Sequence, residues 1–178
     1  SLGTINFKQF GHNIFAGLHG DVVFSSRETS DNFRKINYID SSGVLVWTYN
    51  TNDYYEYLLD VEFSSDRVAF LTGNSASDGE LVHVDYSGNV IFSLALPSLN
   101  SSYGGYAQME LISATNETFL GYKLNNSSQD FLVKHISAAG LPVFTPGPNI
   151  NYVGITIKQF GNRLLIVDGV VATGTTHL

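Results

Sequence analysis

The chain has 178 residues, of which 43% are apolar and 14% charged, and its formal net charge is −7 with only nine lysines and arginines. Its 12 phenylalanines and 10 tyrosines exclude a disordered chain, and its acidity excludes an electrostatic surface for nucleic acid or anionic lipid. No cysteine is present, which excludes disulfides, thiolate metal ligands and cysteine nucleophiles. No apolar run approaches the roughly 20 residues that span a bilayer, so we expect one domain without membrane insertion.

The predicted elements begin with two short apolar segments, residues 5–7 and Ile14–Ala16, which indicate the first and second strands of a unit. The string KQFG lies between them at residues 8–11 and returns at residues 158–161. Similar strand–turn–strand segments follow at 61–71, 111–120 and 155–167. If the two KQFG strings hold equivalent places three units apart, one unit contains about 50 residues.

A second pattern, at residues 37–47, 82–92 and 134–144, predicts a β-hairpin that occurs three times. Each copy has an extended stretch, an Asp or Ser, two small or polar residues, a Gly, and a second extended stretch with an aromatic residue four places after the Gly. The Asp or Ser oxygen can accept bonds from backbone N–H groups, and the Gly supplies the positive φ of a short turn. The turn residues are Asp40 with Gly43, Asp85 with Gly88, and Ser137 with Gly140.

No stretch has helical periodicity, so the predicted fold class is all-β. The chain divides into units at about 4–57, 58–107 and 108–153, with a partial unit at 154–178, and each complete unit holds four short strands. Four-stranded antiparallel units of this length are typical of β-propeller blades. The sequence therefore predicts a single β-repeat domain of about three and a half propeller-type blades.

Three segments resemble the bacterial SBBP-type β-propeller repeats: FRKINYIDSSGVLVWTYN, YLLDVEFSSDRVAFLTGNS and ELVHVDYSGNVIFSLAL. The quinone-binding-like (PQQ-like) propeller repeats are also similar. The resemblance covers nearly the whole chain, but Ser137 replaces the turn Asp in the third copy, and the family's lysine is retained only at Lys35 and Lys134, out of register. It implies a secreted or surface-attached propeller, often within a larger protein, without catalytic residues.

Propellers close with four to eight blades, more than these units provide. Three arrangements are therefore open. The chain belongs to a longer polypeptide, it completes a ring with another copy of itself, or its repeats stack as an open solenoid.

A column of histidines, His83, His135 and His177, stands two places before each turn acceptor or its expected place. Equivalent positions on stacked sheets lie about 10 Å apart, whereas metal ligands lie about 2 Å from one ion, so these residues are predicted to pack rather than to bind a metal. Calcium at Asp40 and Asp85 is not needed to explain those residues, because turn capping does. No metal or other cofactor is expected.

The acids Asp53, Glu56 and Asp60 could form the paired carboxylates of a glycan-active enzyme, but a chain with 16 acids contains such a cluster by chance. No Gly-x-Ser-x-Gly or phosphate-binding glycine motif occurs. The chain is therefore predicted to be non-enzymatic, with no catalytic residues.

The loops between units are rich in Tyr, Asn, Ser and Gly, a composition that suits recognition of sugars or of a protein partner. Tyr54, Tyr55 and Tyr103 are the binding candidates, whereas the tyrosines that recur at the start of each unit are predicted to pack between units. Those recurring tyrosines are Tyr57, Tyr106 and Tyr152.

N-glycosylation sequons start at Asn100, Asn116, Asn125 and Asn126, which chance explains in a chain so rich in Asn and Ser. Low charge with abundant Asn, Ser, Thr and Tyr suggests an extracellular surface. We expect a structural or adhesion module, with a carbohydrate-binding module as the alternative.

Overall fold

A computed structural model of the chain describes residues 14–17, 19–27, 34–51, 57–73, 78–97, 99, 107–123, 131–144, 155–160, 163–169 and 176–177. These residues form fifteen strands and no helix. A membrane-spanning helix is accordingly not found within the described ranges.

Four antiparallel sheets follow one another along the chain, and each is a meander in which consecutive strands are hydrogen-bonded neighbours. Sheet 1 consists of β1 (Ile14–Ala16), β2 (Val22–Arg27), β3 (Arg34–Ile39) and β4 (Leu45–Asn50). Sheet 2 consists of β5 (Tyr57–Phe63), β6 (Arg67–Gly73), β7 (Asp78–Asp85) and β8 (Val90–Pro97). Sheet 3 consists of β9 (Ala107–Ile112), β10 (Glu117–Lys123), β11 (Phe131–Ile136) and β12 (Pro142–Phe144). Sheet 4 consists, in the described residues, of β13 (Ile155–Phe160), β14 (Arg163–Gly169) and β15 (Thr176–His177).

The predicted all-β class is confirmed, and sheets 1 to 3 are four-stranded and antiparallel as expected. The strand assignment in the first unit was wrong. Among the described strands of sheet 1, Ile14–Ala16 is the first and Val22–Arg27, for which no strand was predicted, is the second, while residues 5–7 lie outside the described residues. Pairing partners define a strand's place in a sheet, and four matching letters carry no pairing information.

The spacing of the sheets is nevertheless close to 50 residues. The first strands of the four sheets end at Ala16, Phe63, Ile112 and Phe160, which are 47, 49 and 48 residues apart. The second KQFG string therefore begins within β13, whereas the first string precedes β1 and lies outside the described residues. The two strings are not in equivalent places.

Sheet 2 packs between sheets 1 and 3, and neighbouring residues of its strands face opposite sides. In β6, Phe70 packs against sheet 1 while Leu71 packs against sheet 3, so this strand reads as an almost continuous apolar run. The cluster between sheets 1 and 2 contains Val23, Ile36, Tyr38, Trp47, Leu58, Val61, Val68, Phe70, Val82 and Val84. The cluster between sheets 2 and 3 contains Ala69, Leu71, Leu81, Leu96, Leu99, Met109, Leu111, Leu120, Tyr122 and Ile136.

The outer parts of neighbouring sheets meet through a turn glycine and an aromatic ring. A Cβ on Gly88, where φ is 95°, would lie 2.8 Å from Cβ of Trp47 in the preceding sheet. A Cβ on Gly140, where φ is 80°, would lie 2.6 Å from Cγ of Phe92. Gly43 has the same conformation, with φ of 83°, but no atom of the described structure within 4 Å of such a Cβ. The β7–β8 and β11–β12 turns therefore need glycine for conformation and for space, and the β3–β4 turn needs it for conformation alone.

Candidate functional site

Several residues predicted to bind ligand or carry glycan lie outside the described part of the chain: Tyr54, Tyr55, Tyr103, Asn100, Asn125 and Asn126. Carbohydrate binding by these tyrosines stays a prediction. Asn116 is described, and it occupies the β9–β10 turn with φ of 57°. Its Nδ2 donates to Oδ2 of Asp66 at 3.3 Å, so this side chain connects turns of two neighbouring sheets.

Asp40 caps the β3–β4 turn. Its Oδ1 accepts the backbone N–H groups of Ser42 at 2.9 Å and Val44 at 3.0 Å, and the Ser42 hydroxyl at 2.6 Å. These bonds, with the Ser42 hydroxyl as the largest cause, lower the pKa of the Asp40 carboxyl. The donors are all local, so the carboxylate acts within its own turn.

The β7–β8 and β11–β12 turns repeat this arrangement. Asp85 Oδ1 accepts the backbone N–H groups of Ser87 at 2.8 Å and Asn89 at 2.9 Å, and the Asn89 side chain donates to Oδ2 at 2.8 Å. The Asn89 side chain is the largest cause of a lowered pKa at Asp85. In the β11–β12 turn the Ser137 hydroxyl oxygen accepts the N–H of Leu141 at 3.1 Å, so a serine can take the place of the Asp.

His83 lies in the interface between sheets 2 and 3 and is fully buried. Its Nε2 is 2.9 Å from the Thr118 hydroxyl oxygen, and its ring stacks on Phe92 with centroids 4.2 Å apart. Burial is the largest cause of a pKa lowered to about 4, with the Arg67 charge second. His83 therefore contributes to packing as a neutral ring.

His135 occupies the equivalent place in sheet 3 and has different partners. Its ring stacks on Phe119 at 4.2 Å, and its Nε2 is 3.4 Å from Oε2 of Glu117. His177 lies in β15, opposite Asp168. Across the described ranges, no group of three or more His, Cys, Asp or Glu side chains is placed to hold a metal.

Asp60 joins the first strands of two sheets. Its Oδ2 accepts the backbone N–H of Met109 in β9 at 2.8 Å, and its Oδ1 accepts the N–H of Val61 at 2.9 Å. The other two acids of the predicted cluster, Asp53 and Glu56, lie outside the described residues. The contacts of Asp60 link sheets 2 and 3.

In each meander the first and third turns lie at the same end of the sheet, which we call the turn end. At the turn end, Asp66 accepts bonds from the Ser64 hydroxyl at 3.0 Å and from Arg67 at 3.1 and 3.2 Å. The Arg67 guanidinium also donates to the carbonyl oxygen of Ala138 in sheet 3 at 3.2 Å. Together with the Asn116–Asp66 bond, these contacts connect the turns of sheets 2 and 3.

The turn end also contains a cleft of about 220 Å³, which we call the turn-end cleft. Turns of three successive sheets line it, through His19, Asp21, Phe63, Ser64, Ser65, Tyr86 and Ser113. The Tyr86 hydroxyl donates to the carbonyl oxygen of Ser64 at 2.6 Å.

Asp21 is the buried polar group of the turn-end cleft and is only 6% exposed. The Tyr38 hydroxyl bonds its carboxylate, and burial followed by the Asp21 charge raises the pKa of Tyr38 to about 12. Oδ1 of Asp21 has no hydrogen-bond partner within the described structure. The carboxylate packs against Gly17, because a Cβ on Gly17 would overlap it.

Sequence reasoning missed the turn-end cleft. Asp21 directly follows Gly20, whose φ is 86°, and this Gly-Asp pair is an ordinary turn signal in a chain with 17 glycines. Apart from His19, the residues that line the cleft with Asp21 lie 42 to 92 positions away along the chain, so only the stacking of sheets brings them together.

Comparison with protein-family models, with curated proteins and with solved structures gives no match for this chain.

Proposed function

We propose that this chain is a non-enzymatic structural and adhesion module of the cell exterior, built from propeller-type blades that dock onto further sheets of the same kind. The observation that carries the proposal is the repeated interface between consecutive sheets. Trp47 lies on Gly88 and Phe92 lies on Gly140, so an aromatic ring packed on a turn glycine joins sheet 1 to sheet 2 and sheet 2 to sheet 3. An interface that is used twice in one chain suits further use by an added sheet.

The β3–β4 turn, which contains Gly43, supports docking of another sheet. Gly43 has the conformation of Gly88 and Gly140, and no described atom lies within 4 Å of the place where its Cβ would be. An aromatic side chain from a preceding sheet fits there as Trp47 fits on Gly88. The docked sheet comes from another copy of the chain or from the remainder of a longer polypeptide, and the assembly is a propeller ring or an open stack.

The outer strands support the adhesion part of the proposal. In each of sheets 1 to 3 the register shifts between the third and fourth strands, and the extra residue on the outer strand is apolar and exposed. These bulge residues are Val46, Ile91 and Val143; the exposed Leu45 and Val90 directly precede the first two, and the exposed Leu141 lies two residues before the third. An apolar row repeated at the same place on successive sheets is a contact surface for a protein partner or for a second copy.

Light scattering during size-exclusion chromatography, over a wide range of protein concentration, tests this proposal. We expect a mass that rises with concentration, and we expect a variant with Leu45→Glu, Val90→Glu and Leu141→Glu to stay monomeric, because the charges interrupt the apolar row. A control with Ser41→Glu, Ser87→Glu and Ala139→Glu adds the same charges at exposed turn positions of the same sheets.

The control should associate as the unmodified chain does. A chain that stays monomeric at every concentration contradicts the self-associating form of the proposal. Loss of association in both variants alike would attribute the effect to net charge and not to the apolar row.

A further inference from the structure

The Asp21 carboxylate in the turn-end cleft has an acceptor atom that the protein does not use. Asp21 is 6% exposed, and its Oδ1 meets no donor among the described residues. A buried acceptor without a donor costs about 1–3 kcal/mol, and more when the group is charged. Oδ1 is closed to solvent and lies against Gly17, so a ligand offsets this cost by bringing positive charge beside the carboxylate rather than by contacting this oxygen.

The charges around the cleft favour a cation over a neutral ligand. Among the described residues, no lysine or arginine lines it, and His19 is the one lining side chain that can carry positive charge. Arg67, at the same end of the sheets, is directed to Asp66 and to the carbonyl oxygen of Ala138. Burial is the largest cause of a raised pKa at Tyr86, and the charges of Asp21 and Asp66 add to it, which indicates a negative potential in the cleft.

The walls and the size of the cleft define the kind of cation. The rings of Phe63 and Tyr86 line it, and aromatic faces attract organic cations. A volume of about 220 Å³ equals roughly seven water molecules at about 30 Å³ each, which is below the range of drug-sized ligand sites. A compact head group on a short alkyl chain fits, and the hydroxyls of Ser65 and Ser113 are available nearby as acceptors.

We propose that the turn-end cleft binds a primary alkylammonium group, with the Asp21 carboxylate as its counter-ion and with Phe63 and Tyr86 contacting its alkyl chain. The group belongs to a small free amine or to a lysine side chain of a partner protein. The inference is independent of the self-association proposed above, because none of the residues of the apolar row lines the cleft.

The fluorescence of Trp47, the only tryptophan, offers a direct measurement. Trp47 stacks on Tyr38 with centroids 5.3 Å apart, and Tyr38 is bonded to Asp21, so a ligand that contacts Asp21 alters the surroundings of the indole. We expect n-butylammonium chloride to produce a saturable change at constant ionic strength. We expect 1-butanol, which has the same alkyl chain without the charge, to produce none.

Variants then assign the response to Asp21. Asp21→Asn keeps the shape and removes the charge, and it should weaken n-butylammonium binding at least tenfold. Gly17→Ala keeps the charge but displaces the carboxylate, and it should weaken binding as well. Glu117→Gln removes an acidic side chain that lies outside the cleft lining, and it should leave the affinity unchanged.

The two sources of the ammonium group are distinguished by a short capped peptide with one lysine, compared with the same peptide with norleucine. Tighter binding of the lysine peptide than of n-butylammonium indicates a protein partner, and the reverse order indicates a free amine. Circular dichroism verifies that each variant is folded.

Three results would overturn the proposal. They are equal responses to n-butylammonium and 1-butanol, unchanged affinity in folded Asp21→Asn and Gly17→Ala, and a saturable response to calcium chloride with none to the amine.

Discussion

At the scale of single residues, one repeat position takes a different role in each sheet. Tyr38 stacks on Trp47 in sheet 1, and the equivalent His83 stacks on Phe92 in sheet 2. The flat ring opposite the outer-strand aromatic is kept, while the polar atom finds a different partner, which for His83 is Thr118. Stacking on a neighbouring strand is therefore the shared requirement, and hydrogen bonding follows from local surroundings.

Burial of His83 predicts a dependence of stability on pH. The unfolded chain takes up a proton near pH 6.5, whereas folded His83, with its pKa lowered to about 4, remains neutral until far lower pH. The contribution is complete above pH 6.5 and is lost as the pH falls toward 4. Between pH 7.5 and 5 this residue should lower the free energy of unfolding by about 2 kcal/mol, as measured by urea denaturation at each pH.

The matched variants are His83→Gln and His135→Gln. The first should remove most of the loss between pH 7.5 and 5, and the second should retain it, because His83 stays in place. Equal slopes in the unmodified chain and in His83→Gln would show that the histidine is not the cause.

The three turn glycines provide a second prediction for single residues. Replacement by alanine places a side chain at positive φ in every case, which costs about 1–2 kcal/mol. Gly88→Ala and Gly140→Ala also press a Cβ into Trp47 and Phe92, which adds about 1–3 kcal/mol, whereas Gly43→Ala meets no neighbour in the described structure. Urea denaturation should therefore rank Gly43→Ala as the mildest of the three, and equal losses would contradict the packing argument.

At the scale of elements, the strands of one sheet differ in burial by their position. Strand β6 is in the middle of sheet 2 and is covered by sheets 1 and 3, and six of its seven residues are buried. Strand β8 forms the outer edge of the same sheet, and only Leu96 of its eight residues is buried. The difference comes from stacking and from edge position, since both segments are apolar enough to form strands.

Hydrogen exchange should follow this difference. Backbone amides of β6 should exchange only through global unfolding, whereas those of β8 that are not paired with β7 should exchange orders of magnitude faster through local opening. Mass spectrometry of peptides from 67–73 and 90–97 measures both. Similar protection in the two peptides of a monomeric sample would mean that β8 is not an edge strand.

At the scale of the whole molecule, cooperation between sheets depends on the two apolar interfaces. Phe70 belongs to the interface of sheets 1 and 2, and Leu71 to that of sheets 2 and 3, although they are neighbours in one strand. Repeat proteins lose cooperativity when an interface is weakened, because each unit is stabilised mainly by its neighbours.

Two substitutions in β6 test this coupling. Phe70→Ala should lower the free energy of unfolding by about 3–5 kcal/mol, because loss of the ring leaves a cavity between sheets 1 and 2. Sheet 1 should then unfold at a lower urea concentration than the other sheets. Trp47 fluorescence reports sheet 1, and far-ultraviolet circular dichroism reports all sheets, so the two transitions should separate in this variant.

Leu71→Ala is the control from the adjacent position. Leu71→Ala should lower the free energy of unfolding by about 2–5 kcal/mol but should leave sheet 1 coupled to sheet 2. The change in Trp47 fluorescence should then coincide with the unfolding of sheets 1 and 2. If Phe70→Ala and Leu71→Ala behave alike in both measurements, the sheets do not unfold as units that are coupled through separate interfaces.

Local patterns in the sequence were sufficient for the all-β class, for four-stranded units near 50 residues and for the three Gly-centred hairpins. A turn depends on four or five consecutive residues, and a strand on its own alternation, so neighbours along the chain hold this information. The strand assignment in the first unit was wrong, because a short apolar segment does not specify which strands it pairs with.

Stacking of the sheets decided the rest. It explains why an aromatic residue accompanies each turn glycine, since Trp47 and Phe92 rest on the glycine of the next sheet. It also brings Asp21, Phe63, Tyr86 and Ser113 to one cleft, although no two of them are close in sequence. Contacts between sheets join residues tens of positions apart, and a local pattern does not specify which side chains will meet there. The hairpins could therefore be derived from the sequence, whereas the cleft required the tertiary structure.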